Sequence, residues 1–112
     1  MAQRIVVSDL ADAPLDAAAG FHRDWLPKVR AAFEAGEEAL TVILPPADYT
    51  HKAWRRATAQ SLAREAAPAG RVNVIAASDD AEAAALCDYL ERAPGVTGQY
   101  LEGAGAAEGE GA

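Results

Sequence analysis

Tyr49, His51 and Lys52 stand close together near the middle of the chain. A phenol beside an ammonium group has chemical potential, because the cation lowers the phenol pKa and lets tyrosine act as an acid or base. The plainer reading of the pair is a solvated lysine and a tyrosine at a helix start. His51 is expected to be exposed in the first helical turn, and His22 is a lone histidine on another helix. Neither has a second histidine at metal-ligand spacing, so no metal site is expected. Cys87 is the single cysteine. It rules out an internal disulfide framework and a multi-cysteine metal site, and it reads as a small buried hydrophobe on a helix stripe. Asp79, Asp80 and Glu82 open a helix, where the macrodipole favours anions, and they read as capping residues.

The elements that would carry these residues follow from hydrophobic period. Arg4 to Ser8 and Leu40 to Leu44 are short apolar runs of the kind buried on both faces of a parallel sheet, the second halted by Pro45 and Pro46. Arg71 to Ala76 is a third strand and Val96 to Glu102 a fourth. Between the first two, apolar residues at Leu15, Ala18, Trp25, Leu26, Val29 and Phe33 mark a helical face, with Pro27 forcing a bend near Arg23 or a restart. A second helix runs from an Asp48 or Thr50 cap to about Ala67, ahead of Pro68. A third runs from Ser78 and Asp79 to about Ala93, with Ala83, Leu86, Cys87 and Leu90 on one stripe. The right-handed crossover rule then stacks the strands in sequential order with helices covering the faces. The expectation is a small three-layer α/β domain, Rossmann-like, with four parallel strands in sequential order and three helices over residues 1–102. Residues 103–112, made of Gly, Ala and Glu, are expected to form a mobile, disordered tail.

Composition limits the partners. The 112 residues suffice for one domain, and 29 of them are alanine, so the core should be thin. The formal charge of −7 argues against nucleic acid and anionic membranes. No apolar run reaches spanning length, and Met1 leads directly into Ile5-Val6-Val7, so a soluble cytoplasmic protein is expected.

Several motifs occur in an order that resembles the C-terminal half of short-chain dehydrogenases/reductases. Leu62-Ala63-Arg64-Glu65 precedes a Pro and a Gly, then come Arg71-Val72-Asn73 and Val96-Thr97-Gly98-Gln99. Trp25-Leu26-Pro27 leads into Leu40 to Leu44. The similarity covers most of residues 4 to 103. It implies that the chain starts where the family's fourth strand would, without the Gly-rich turn that cradles a dinucleotide pyrophosphate. No cofactor is therefore expected. Family spacing places the active-site lysine on Lys52, but its tyrosine on Asp48 and its serine on Pro46. Tyr49 lies one position off, a rotation of about 100° on a helix. The family's Asn-rich turn falls on Ser8-Asp9-Leu10, and a Pro-Gly pair on Ala77-Ser78.

A scaffold without its chemistry is the resulting expectation. No catalytic residue is assigned, and Tyr49 and Lys52 remain as residual candidates. In this family the helices corresponding to those of Trp25 and Trp54 pack on a second subunit, which makes these tryptophans interface candidates. Ala53, Ala57, Ala63, Ala66 and Ala67 would permit close approach, with Arg55, Arg56, Arg64 and Glu65 as rim charges or a solvated face. The expected function is a non-catalytic oligomerisation or protein-interaction module, as a homodimer or with a partner protein. The bare edge of Ile5-Val6-Val7 points the same way. The alternatives are a reductase that borrows its NAD(P) site from a separate nucleotide-binding chain, and a small-ligand binder at the strand C-termini near Ser8, Pro46 and Ser78.

Overall fold

The computed structural model describes residues 2–106. Four parallel strands, β1 (Ala2–Val6), β2 (Ala39–Leu44), β3 (Arg71–Ala76) and β4 (Tyr100–Glu102), form one sheet in sequential order. Among the described residues four helices rather than three join the strands: α1 (Pro14–Asp24), α2 (Leu26–Glu34), α3 (Lys52–Ala66) and α4 (Asp80–Glu91). The first expected helix restarts at Trp25, because Pro27 sits at the start of α2, where its missing N–H costs nothing. A 3₁₀ turn, Tyr49–His51, leads into α3.

Strand register assigns the faces. Ile5, Val42, Val74 and Tyr100 lie side by side, and so do Val6, Ile43, Ile75 and Leu101 one step along. The first row belongs to the main core with Phe21 of α1, Val29 and Ala32 of α2, and Ala59 and Leu62 of α3. Ile43, Ile75 and Leu101 of the second row meet α4 through Ala83, Leu86, Cys87 and Leu90, with Val96 beside them. Two connections therefore cross one face of the sheet while the third, stepping in the same direction, crosses the other. The β3–α4–β4 connection is therefore of the opposite hand to the other two, against the uniform hand that crossovers favour. A single hand throughout would have left the second face bare.

β1 departs from expectation. It runs Ala2–Val6 rather than to Ser8, since the register sets Ser8 opposite Pro45, which has no N–H to donate. It is also an edge strand rather than one buried on both faces: Val6 is 65% exposed. The Val7 N–H donates to the Ile43 carbonyl. By the alternation of a parallel ladder, the backbone groups of Arg4 and Val6 point away from β2, toward the open edge.

β4 begins four residues later than expected, because Gly98 turns the chain with φ +74°. A Cβ there would also lie 3.2 Å from that of Ala63. Val96 to Gln99 is still joined to β3, by main-chain bonds from the Gly98 N–H to the Val72 carbonyl (2.8 Å) and from the Val74 N–H to the Gln99 carbonyl (2.9 Å), and by side chains. Buried Asn73 donates its amide N–H to the Val96 carbonyl (3.0 Å) and accepts from the Gln99 N–H (3.0 Å). The Thr97 hydroxyl meets the Val72 backbone.

The start of the expected tail is ordered against α4. Ala106 is buried, and the N–H groups of Gly105 (2.8 Å) and Ala106 (3.4 Å) donate to the Glu82 carboxylate. Glu102 closes β4. Residues 107–112 lie outside the described residues. Among the described residues, no helix is long and apolar enough to cross a membrane.

Candidate functional site

Strand polarity gathers the loops after β1 and β2 at one end of the sheet, where open α/β folds place ligands. A cavity of about 550 Å³ opens there, lined by Ser8, Asp9, Asp12, Pro46, Asp48, His51 and Arg55 among others. A neighbouring hollow of about 450 Å³ lies on the α4 side, between Pro46 and Ser78.

His51 is not exposed as expected but 5% accessible, because the 3₁₀ turn tucks it under the β1–α1 loop. The Trp54 indole N–H donates to its Nδ1 at 3.0 Å. Nδ1 is thereby the acceptor, so Nε2 carries the hydrogen that goes to the Asp12 carbonyl at 2.8 Å. The imidazole is a strut between α3 and the loop that walls the cavity. Asp9 in that loop has φ +59°, a left-handed conformation that aspartate tolerates better than most residues.

Arg55 corrects the expectation of a rim charge or solvated side chain. It is only 2% exposed. Its Nη1 donates to the Pro45 carbonyl at 2.8 Å and to the Tyr100 hydroxyl at 3.2 Å. Its Nε is buried without a partner. Among the described residues no carboxylate touches this buried guanidinium, an arrangement that costs on the order of several kcal/mol. Trp54 and Tyr100 offer their rings, with the guanidinium carbon 5.6 and 6.0 Å from the centroids. Burial raises the Tyr100 phenol pKa, against the opposing pull of Arg55. Arg56 and Arg64 are exposed, and Glu65 pairs with Arg30 of α2 at 2.8 Å.

The residual catalytic candidates part company. Tyr49 is 70% exposed. The Lys52 ammonium lies 3.4 Å from Glu102 Oε1, and the Tyr100 hydroxyl donates to Glu102 Oε2 at 3.4 Å. Asp48, where family spacing puts a tyrosine, caps the 3₁₀ turn by accepting from the Thr50 N–H and hydroxyl. Those bonds hold its carboxyl below the usual range. The cluster at the end of β4 is thus Lys52, Glu102, Tyr100 and Arg55, of which sequence spacing marked only Lys52. Arg55 had one available signal, its place between Trp54 and the α3 core positions Thr58, Ala59 and Leu62.

Both tryptophans are half-buried and lean on the main core. The Trp54 ring lies 6.0 Å from that of Phe21, and Lys28 sits 4.2 Å over the ring of Trp25. Of the small residues expected to face outward, Ala53, Ala57 and Ala67 do. Ala63 and Ala66 instead pack on the core. Cys87 is buried beneath α4, and burial raises its thiol pKa. Among the described residues no three His, Cys, Asp or Glu side chains converge as a metal would need.

A protein-family model described as SDR-like, short chain dehydrogenase-like protein, matches residues 5–103. No curated protein and no solved structure matches the chain.

Proposed function

We propose, for a chain that belongs to the short chain dehydrogenase-like family, a role as a non-catalytic self-association or protein-interaction module. The carrying observation is the outer edge of β1, where the backbone groups of Arg4 and Val6 have no strand beside them among the described residues and Val6 is 65% exposed. Soluble folds rarely leave such an edge uncovered, and the one charge on it, Arg4, is paired with Asp88 and Glu91 of α4. A second copy paired edge to edge about a two-fold axis would run antiparallel and continue the sheet into eight strands. Two features of the site support a non-catalytic reading. Pro46 and Asp48 stand where the family's serine and tyrosine would fall, and Lys52 faces Glu102.

Size-exclusion chromatography with light scattering tests the proposal. A dimer mass at micromolar concentration is expected, and Val6→Pro should reduce it to monomer with an unchanged circular dichroism spectrum. A well-folded wild-type monomer overturns self-association. Loss of the dimer in Trp25→Ala, with Val6→Pro still dimeric, would move the contact to the helical face. Saturable NADH or NADPH binding would overturn the non-catalytic reading in favour of a reductase completed by another chain.

A further inference from the structure

We propose that the cavity at the carboxyl ends of β1 and β2 binds a small aminocarboxylate of amino-acid size. Its carboxylate would lie on Arg55 and its ammonium group among the aspartates of the rim.

The guanidinium defines the deep end. Both hydrogens of Nη1 are committed, to Pro45 and Tyr100. Nε has no partner although it is buried. What remains is the Nε/Nη2 side of the fork, two near-parallel N–H groups whose spacing matches the two oxygens of a carboxylate once the protein atoms that cover Nε give way. No carboxylate of the described residues takes that side. The nearest in the bonded chain, Glu102, is one link away across Tyr100 and is shared with Lys52. Arg55 itself lines the cavity.

The rim decides the rest of the ligand. Asp9, Asp12 and Asp48 line the same cavity, and none of them pairs with a cation among the described residues. In a chain of net charge −7, a simple anion would have to pass three carboxylates to reach Arg55. A molecule with an ammonium group beside its carboxylate meets favourable charge at both depths. Leu10, Pro45 and Pro46 give the walls apolar surface for a short aliphatic body. The site is independent of the edge of β1, so it is measurable in monomer and dimer alike.

The experiment screens the purified protein by thermal shift and calorimetry against the twenty L-amino acids. Each hit is then compared with its des-amino acid and its decarboxylated amine. At least one amino acid is expected to bind, with each analogue weakened tenfold or more. Arg55→Met should abolish binding, and the exposed pair Asp9→Asn with Asp12→Asn should weaken it several-fold. The rim pair and the analogues decide the matter if Arg55→Met fails to fold. Absence of binding across the panel overturns the proposal, as does unchanged affinity in Arg55→Met. A des-amino acid that binds as tightly as its parent overturns it too.

Discussion

Replacing His51 with phenylalanine tests whether the imidazole is the strut that holds the cavity wall to α3. The substitution keeps a flat ring in the T-shaped contact with Trp54, whose centroid lies 6.3 Å away, and deletes two hydrogen bonds, of 2.8 and 3.0 Å. The Asp12 carbonyl lies in an exposed loop and recovers water, so its loss should be small. The Trp54 N–H is half-buried and recovers less. With roughly 0.5 kcal/mol for the first and about 1.5 for the second, the variant should lose about 2 kcal/mol. For a domain near this size that is a fall in Tm of roughly 10 °C. Urea unfolding followed by circular dichroism measures the energy, and hydrogen exchange of residues 8–13 reads the released loop. His51→Gln, which offers both an acceptor and a donor, should recover part of the loss. Stability within about 0.5 kcal/mol of wild type, the spread of an ordinary surface substitution, with loop exchange unchanged, would refute the strut.

Three further outcomes follow from the second face of the sheet. Glu82 is held below the usual glutamate range by the Ser78 and Gly105 N–H groups. Its contribution is therefore complete above about pH 4.3 and disappears as pH falls through the lower folded value. The Gly105 amide resonance should report that release, and Glu82→Gln should abolish the transition. Leu90→Ala, at a position 1% exposed, should cost about 2–5 kcal/mol in urea unfolding. Arg4→Met removes contacts of 2.9 and 3.2 Å to Glu91 and Asp88. Because these groups are substantially solvated, the cost should stay under about 1 kcal/mol in the same assay.

The alternation of strand and helix was legible because β2 and β3 are β-branched runs bounded by prolines and glycine, and their observed limits differ from expectation by at most one residue. Sequence period carries no information on which face a helix chooses, so the hand of the β3–α4–β4 connection could not be read from it. It also missed the edge character of β1, whose Ile5-Val6-Val7 run looks buried until pairing gives Val6 a neighbour on one side only. At the site, residue type misled most. Arginine beside arginine reads as a charged surface, yet the α3 stripe turns Arg55 inward and Arg56 outward. His51 was judged by its place in a first turn, whereas its accessibility is decided by a loop nearly forty residues away in sequence, at Asp12.

The carboxamide of Asn73 stands in for a stretch of main chain. With one oxygen and one nitrogen it satisfies the groups at both ends of a turn that breaks the regular ladder. The short last strand thus enters the sheet already aligned, its register set upstream by this amide together with the main-chain bonds of Gly98 and Gln99 to β3. Aspartate at this position would keep the acceptor and lose the donor, while leucine would lose both. The first change should loosen the approach to β4 at the Val96 end, and the second should loosen both ends of the turn, leaving it held by the main-chain bonds of Gly98 and Gln99.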